Sequence, residues 1–559
     1  MEIWPLQKKN SVRLTHIKNT YEKYLDEDKD GAKYYPNRIA REVHSGHYVK
    51  VLPTELPDPE LVIWSPDLCT QIRFTDPPND KQIKFLSGDV SALSQFNLSW
   101  ATPYALAIYG RPMLSNCPYG NDKGYGDGRA ISVAEIICDN KRYELQLKGA
   151  GGTPFRRSGD GRAALRSSVR EFLASEAMHS LGVRTTRALS LIVSKSEKIV
   201  RAWLSQESTG KNDTMILEPA AILCRVAPSF IRVGHIDLFA RRGLGQIPNI
   251  TQAEQNIGLS QLRKMVEFTI FRDFPDIVQS KFQKCNNSQI LEFLRQSSIR
   301  IAELTSEWIR VGFCQGNFNS DNCLVSGYQM DYGPFGFIEK YDPYWNMWVD
   351  GGKHFSFMNQ MNAGHENFKT LVDSVIPLFQ DNFADICEAE NIAKHHYVVG
   401  TNALNDVWRR KLGLKKWKSV TATLLSRLLD LMEKCKADYT ILWRKLIDCK
   451  NVEDLTDSFY MELSVANASE FNVWISDWLS LEPDFQLMKK TNPIFVPREW
   501  MLVEAYEKAN KGDYSMVNEL YELFKNPYEV QNENSLKYFT KAPNAVKNKP
   551  GTAFVTCSS

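Results

Sequence analysis

The stretch QGNFNSDNCLVSGYQMDYGPFGF, residues 315–337, carries the most specific pattern in the sequence. Kinase-like phosphotransferases place a catalytic aspartate five residues before a metal-binding asparagine, and an Asp-Phe-Gly motif or its equivalent follows after a short strand turn. Asn322 fits the asparagine position, and the DYG tripeptide at 331–333 fits the second motif. The stretch therefore predicts a metal- and nucleotide-binding loop. The alternative is that Asp321-Asn322 caps one turn and the tripeptide starts another.

The position that kinases use for their catalytic base is occupied here by Asn317, five residues before Asn322. An amide cannot act as a general base at neutral pH, which puts the ordinary kinase mechanism in doubt. Asp321, directly beside Asn322, is the nearest replacement carboxylate.

Upstream, a glycine-bearing loop (YGNDKGYGDGRA, 119–130) precedes two strand-like runs that flank Asn140-Lys141 and predict a hairpin. Such loops can direct backbone N–H groups at phosphate oxygens, although most merely turn the chain. The second run, RYELQLK, alternates apolar and polar residues and ends in Lys148. The next predicted helix carries Glu171, so the order of glycine loop, strand lysine and helix glutamate matches a kinase-like nucleotide site. Taken alone, Glu171 is better explained as a solvated surface residue beside Arg166 and Arg170.

A second glycine-bearing loop, GAGGTPFRRSGDGRA at 149–163, separates this lysine from the helix. Asp160 in it suits either a nucleotide pocket or a helix N-cap. Arg225 interrupts the apolar run AAILCRVA, and an arginine in a buried strand needs an anionic partner. That partner is either a structural carboxylate or a nucleotide phosphate.

The order of elements predicts an α+β protein with a kinase-like, two-lobed fold and extensions at both ends. We expect a proline- and charge-rich N-terminal extension over residues 1–95, wrapping the rest without a core of its own. A strand-rich lobe over 96–233 and a helical lobe over 234–485 follow. Residues 486–559 form a C-terminal segment of two helices parted by Gly512-Asp513 and a polar tail.

Composition excludes several classes of function. The 559 residues include 68 basic and 66 acidic side chains, so overall charge predicts no nucleic-acid partner. No apolar run is long enough for membrane insertion. The eleven cysteines show no metal-ligand spacing, which favours a reducing compartment. The basic N-terminus is either a short surface segment or a mitochondrial presequence.

Longer stretches resemble the selenoprotein O family of pseudokinase-like protein adenylyltransferases over roughly residues 45–545. The matching segments are GDGRA at 126–130, LKGAG at 147–151, DGRAALRSSVREFLASEAMHSLGVRTTRALSLI at 160–192, RVAPSFIRVG at 225–234 and NSDNCLVSGYQMDYGPFGFIEKYDP at 319–343. Departures include Gln315, where many relatives carry histidine, and Gly152, which replaces a frequent proline.

The resemblance implies transfer of AMP from ATP to serine, threonine or tyrosine hydroxyls of proteins. It assigns nucleotide contacts to Gly126, Gly128, Arg129, Lys148, Asp160, Gly161, Arg225, Arg232 and Asp331. It places magnesium, or alternatively manganese, on Asn322 and Asp331, and the proton acceptor at Asp321. It also makes Glu171 the partner of Lys148.

The C-terminal tail GTAFVTCSS resembles the family end at which many members carry selenocysteine, and this chain has Cys557 there. A redox role at Cys557 and an inert surface thiol are both open. Eukaryotic relatives are mitochondrial, so the resemblance favours that location, with the cytoplasm as the alternative.

Two other functions stay open. A kinase that transfers the γ-phosphoryl group would share the phosphate-binding residues, but Asn317 argues against it. A catalytically silent ATP-binding scaffold would not need the complete set of Lys148, Glu171, Asn322 and Asp331.

Overall fold

The structure, a computed structural model, describes residues 16–17, 19–117, 119–120, 125–157, 159–203, 214–348, 352–380 and 382–543. It is a mixed α and β protein. Most strands precede residue 230 and helices dominate after it. This order agrees with the α+β class predicted from the sequence.

The strands form one large sheet and two small ones. They are β1 (His16–Ile17), β2 (Val49–Lys50), β3 (Pro59–Trp64), β4 (Trp100–Ala101), β5 (Ala107–Ile108), β6 (Arg111–Pro112), β7 (Ala130–Cys138), β8 (Lys141–Lys148), β9 (Ala163–Ala164), β10 (Arg187–Trp203), β11 (Thr214–Ala227), β12 (Phe313–Gln315) and β13 (Phe335–Phe337). The large sheet has the order β2-β4-β7-β8-β11-β10-β3, with β1 paired to β7 and β9 paired to β11. Its pairings are antiparallel.

The predicted hairpin is confirmed as β7 and β8, but its turn lies one residue earlier than expected. Asp139 and Asn140 both have positive φ, at 50° and 61°, and Lys141 already pairs with Cys138 in the ladder. A two-residue turn of this hand suits the right-handed twist of the strands, and Asp and Asn tolerate it better than most residues.

The N-terminal segment contributes three strands, β1, β2 and β3, to the large sheet. β3, which contains the short apolar run Leu61-Val62-Ile63, pairs with β10, with Ile63 opposite Leu191. Val62 and Ile63 are buried in the same apolar cluster as residues of the helix Leu165–Ser180. The segment therefore completes the sheet as well as wrapping it.

The helices are mostly in the second half of the chain. They are α1 (Thr20–Tyr24), α2 (Pro66–Gln71), α3 (Asp80–Leu86), α4 (Leu165–Ser180), α5 (Val233–Gly243), α6 (Gln252–Asp273), α7 (Asn287–Val311), α8 (Gln360–Val375), α9 (Phe383–Lys411), α10 (Ser419–Lys434), α11 (Tyr439–Lys445), α12 (Val465–Leu479), α13 (Phe485–Thr491), α14 (Glu499–Ala509) and α15 (Ser515–Lys525). The two C-terminal helices are parted at Gly512-Asp513, as predicted.

Helix α4 is buried on nearly all sides. Val169, Phe172 and Leu173 form its apolar face, as their spacing predicts, and each is at most 1% exposed. Strands β10 and β11 pack against it on one side, and α14 and α15 pack against it on the other. Because two layers enclose the helix, its rotation and register are fixed by packing.

The loop that contains residues 316–334 connects the two strands of a small sheet. Helix α7 ends at Val311 and is capped by Gly312, whose φ of 79° is the left-handed conformation that glycine adopts without strain. β12 follows at once and pairs with β13, with Gln315 opposite Phe335. The most specific stretch of the sequence is thus a hairpin loop whose two ends are held together.

No helix among the described residues is long and apolar enough to cross a membrane.

Candidate active site

The predicted lysine–glutamate pair is formed. Lys148 lies at the end of β8, and its Nζ is 2.5 Å from Oε2 of Glu171 on α4. Arg225 of β11 binds the other oxygen, Oε1, of the same carboxylate. Because β8 and β11 are adjacent, with Lys148 opposite Leu223, the two cations approach Glu171 from neighbouring strands.

Glu171 is ionised in this setting. Its burial opposes the charge, but Lys148 and Arg225 together hold the pKa of the carboxyl below its usual value. Arg225 also donates to the backbone carbonyl of Thr186 at 2.8 Å. Of the two partners that the sequence left open for Arg225, the structure shows the carboxylate.

A third cation, Arg232, is held by a buried chain of polar groups. Its Nη2 donates to Oδ1 of Asp127 at 2.6 Å, and Oδ2 of the same carboxylate accepts from the Thr102 backbone N–H at 3.0 Å. The Arg232 backbone N–H donates to Nδ1 of His235 at 2.9 Å, and Nε2 of that ring lies 2.8 Å from the Thr102 hydroxyl. Burial, with Arg232 adding to it, lowers the pKa of His235 well below its usual value, so the ring is neutral. Arg232 is therefore rigidly positioned.

The two predicted metal ligands lie in the loop between β12 and β13. Gln315 Nε2 donates to Oδ2 of Asp331 at 2.9 Å, and Gln329 Nε2 donates to the backbone carbonyl of Asp331. Asn322 Nδ2 donates to the backbone carbonyl of Asn317 at 2.7 Å. This bond uses the amide nitrogen of Asn322, so its amide oxygen is the atom suited to a metal ion.

Asp321 is the acid or base candidate of the site. Its Oδ1 is shielded from solvent and has no hydrogen-bond partner among the described residues. Burial raises the pKa of Asp321 to about 6, while Arg232 opposes the shift and Asp331 adds to it. The carboxylate is therefore mostly ionised at neutral pH, with a pKa close enough to accept a proton in a reaction.

These groups line one cleft of about 170 Å³. The predicted residues that the structure brings together there are Gly128, Arg129, Lys148, Glu171, Arg225, Arg232, Asp321, Asn322 and Asp331. The cleft thus combines four cationic side chains with two carboxylates and an amide on the opposite loop.

Three predicted residues lie outside the cleft lining. Gly126 forms a bridge with Pro103, where a side chain would meet the Thr102 carbonyl at 2.4 Å. Asp160 pairs at 2.7 Å with Arg201 on the surface, and Gly161 packs against the Gly151-Gly152 backbone. Nucleotide contacts for these three stay a prediction. Cys557 lies outside the described residues, so a redox role for it stays a prediction.

Sequence reasoning missed several residues of the cleft. Asp127, which holds Arg232, and the lining residues Tyr104, Ala130, Gln146, Phe230 and Met330 were not identified. Asp127 had a signal, because it is an acidic residue inside the GDGRA segment whose glycines and arginine were singled out. Tyr104 and Phe230 had none, since isolated aromatic residues are usually core.

The donor set of Asn322 and Asp331 fits magnesium. Among the described residues, no group of three or more His, Cys, Asp and Glu is arranged to hold a metal ion by itself. Magnesium is usually held by one or two carboxylates together with waters and substrate phosphates, so two protein ligands suffice beside a nucleotide. The shielded Oδ1 of Asp321 next to these ligands gives a cation a further acceptor.

Phosphate-transferring enzymes bind nucleotide with such a combination of fixed cations, a carboxylate and an amide. The family model "Protein adenylyltransferase SelO" matches residues 33–525. A protein nucleotidyltransferase YdiU of Aromatoleum aromaticum is 33% identical, covering 94% of this chain and 96% of the relative. The YdiU of Xanthomonas oryzae pv. oryzae is 37% identical over 78% of this chain and 81% of its own, and that of Tolumonas auensis is 32% identical over 93% and 95%.

The chain therefore belongs to the SelO family, an enzyme family of protein nucleotidyltransferases. This membership confirms the resemblance that its motifs carry. The relatives named above are bacterial, so they lend the mitochondrial expectation no support.

Proposed function

We propose that this protein transfers AMP from ATP to serine, threonine or tyrosine hydroxyls of other proteins and releases pyrophosphate. The observation that carries the proposal is the cleft itself, in which Lys148, Arg225 and Arg232 face the loop bearing Asp321, Asn322 and Asp331. The family's description as a protein adenylyltransferase supports the identity of the transferred group.

We also propose a kinase-like, two-lobed arrangement, with a strand-rich lobe over residues 96–233 and a helical lobe over 234–485. Residues 1–95 and 486–559 are extensions of it. The proposal is supported by the Lys148–Glu171 pair between a strand and the helix after it, and by the hairpin loop that carries Asn322 and Asp331. These are the parts that such a fold uses to bind nucleotide.

The cationic side chains bind the β- and γ-phosphates as a leaving group. Lys148 is oriented by Glu171, and Arg232 by Asp127, so their charges are in place before substrate arrives. Fixed charges stabilise a developing anion without reorganising during the reaction. An excess of arginines near the phosphates suits a triphosphate whose α-phosphorus faces the acceptor.

The acceptor hydroxyl attacks the α-phosphorus. The bond from that phosphorus to the bridging oxygen of the β-phosphate breaks, and the hydroxyl proton passes to Asp321. The raised pKa of Asp321, about 6, leaves it ionised yet able to accept that proton. Asn322 and Asp331 would hold magnesium, or manganese, which when bound neutralises phosphate charge and aligns the α-phosphate. Asn317 stands at the ordinary kinase base position and takes no part in proton transfer.

Labelled ATP tests this function directly. The protein is incubated with magnesium and with ATP labelled at either the α- or the γ-phosphate, and protein-bound label is followed. We expect stable incorporation from the α-position alone, with one pyrophosphate released for each AMP attached. Incorporation from the γ-position alone would establish a kinase instead, and incorporation from neither would favour a silent scaffold. Asp321→Asn serves as the variant expected to bind ATP but transfer slowly.

A further inference from the structure

The residue next to Glu171 forms an ion pair with the C-terminal segment. Arg170, which precedes Glu171 in α4, forms a bidentate pair with Glu499 of α14, with Nε–Oε1 at 2.7 Å and Nη2–Oε2 at 3.0 Å. Arg170 is 1% exposed and Glu499 is 5% exposed. Two buried, oppositely charged groups thus join α4 to a helix more than three hundred residues further along the chain.

Arg170 also contacts the strand that ends the metal-ligand loop. Its Nη2 donates to the backbone carbonyl of Phe335 at 3.2 Å, and its guanidinium lies 4.6 Å from the centre of the Phe335 ring. Phe335 belongs to β13, four residues after Asp331. One arginine therefore connects the C-terminal segment, the helix of Glu171 and the loop of Asp331.

Arg498, which precedes Glu499, connects the start of α14 to the helical part. Arg498 pairs with both oxygens of Asp438, at 2.7 and 2.8 Å, and all of these side chains are buried. Asp438 also caps α11 by accepting from the Ile441 backbone N–H at 3.0 Å. The dipeptide Arg498-Glu499 thus links α11 in the helical part to α4 beside the large sheet.

Helix α15 packs against α4 and α14 and adds a second contact to this link. The ring of Tyr521 lies 5.7 Å from that of Phe172, centre to centre. Because α4 is enclosed between the sheet and these helices, a shift of α14 and α15 would move Glu171 relative to Lys148.

We propose that α14 and α15 form a clamp that sets the position of α4, and that Glu499 is a positioning residue acting through Arg170 on the Lys148–Glu171 pair. This inference rests on the proposed function. None of the residues of α14 and α15 lines the described cleft. The C-terminal helices therefore influence nucleotide binding indirectly, through the position of α4.

A double-mutant cycle tests the clamp. Glu499→Gln, Glu171→Gln and the double variant are compared with the wild-type chain for ATP affinity by calorimetry and for the kcat/KM of AMP transfer. If Glu499 acts through Glu171, Glu499→Gln lowers the ATP affinity and the kcat/KM of the wild-type chain by about tenfold each. In the chain that already carries Glu171→Gln, the same substitution lowers each quantity by less than about twofold. Glu522→Gln is the matched control, since Glu522 lies on α15 in a surface pair with Lys525 and its side chain is 64% exposed. It should change neither quantity.

Additive effects in the cycle would overturn the clamp, as would an ATP affinity of Glu499→Gln equal to that of Glu522→Gln. Should Glu499→Gln fail to fold by circular dichroism, Glu499→Asp, which keeps the charge but shortens its reach, goes through the same cycle with the same criteria. Calorimetry needs only nucleotide binding. If wild type binds ATP but transfers no α-label, the proposed function fails while the clamp is still decided by the affinities.

Discussion

Asp331 is the residue whose loss should separate activity from folding. Its carboxylate accepts from Gln315 and its backbone from Gln329, but it forms no ion pair within the described residues that folding would lose. We expect Asp331→Ala to leave the melting temperature within a few degrees of wild type. We also expect it to lower AMP transfer by at least a hundredfold, because several kcal/mol of charge stabilisation by magnesium would be lost.

The measurement is α-label incorporation beside a thermal melt, with magnesium titrated over a wide range. Asp430→Ala, at an exposed position on α10, is the control and should keep full activity. Near-normal turnover by folded Asp331→Ala would place the metal site elsewhere.

The residues of the site differ in whether nearby positions in the sequence are enough to identify them. Asn322, Asp331 and Lys148 were identifiable because their spacing along the chain is a pattern in itself. The ion pair of Asp160 with Arg201 and the hold of Asp127 on Arg232 join residues 41 and 105 positions apart. No single-sequence pattern specifies such pairs, since they depend on how distant elements pack.

At the scale of elements, periodicity predicted the existence of most helices and strands but not all their ends or partners. The β7–β8 hairpin and α4 follow from alternation and from helical spacing of apolar residues. Apolar residues keep a helical spacing over 420–446, yet α10 ends at Lys434 and α11 begins at Tyr439. Lys436, between them, has a φ of 49°, which breaks the helix. The pairing of β3 with β10 joins segments over a hundred residues apart and was not predictable from either.

A buried histidine joins the N-terminal segment to α6 and should make the fold sensitive to acid. His47 Nδ1 accepts from the Asp26 backbone N–H at 3.1 Å, and its Nε2 lies 3.0 Å from the Gln261 carbonyl. Both bonds are satisfied only by the neutral ring. Burial lowers the pKa of His47 to about 4, against the opposing effect of the Gln261 bond.

The folded-state pKa of His47 is thus below the unfolded value of about 6.5, so the unfolded chain takes up the proton first. Its contribution to stability is complete above about pH 6.5 and is lost as the pH falls towards 4, at no more than about 1.4 kcal/mol per pH unit.

Urea unfolding between pH 7.5 and 4.5 measures this slope. His47→Gln should be less stable at pH 7.5 and show a shallower decline. His44→Gln, at an exposed position in the same segment, should decline as wild type does. Equal slopes for wild type and His47→Gln would contradict the argument.

At the scale of the whole molecule, the site belongs to neither half of the chain alone. The large sheet and α4 supply Lys148, Glu171 and Arg225, while the β12–β13 loop supplies Asp321, Asn322 and Asp331. A nucleotide held between these groups binds only when both sets are folded and in register. Ligand that binds the folded state alone raises stability by RT ln(1 + [L]/Kd), which is about 2.7 kcal/mol at a hundred times Kd.

Magnesium and ATP together should therefore raise the melting temperature of the whole protein by a few degrees, in a single cooperative transition. Lys148→Met should fold, because Arg225 still neutralises Glu171, but it should lose most of this rise, since the phosphates lose their main cation from the sheet. Lys141→Met is the matched control, because Lys141 begins the same strand, β8, at an exposed position away from the cleft, and it should keep the full rise. ATP without magnesium should give a smaller rise in wild type, because the phosphate charge facing Asp321 and Asp331 would then be unneutralised. Differential scanning calorimetry at fixed nucleotide concentration measures all four cases. A full rise in Lys148→Met would mean that the nucleotide binds outside this cleft.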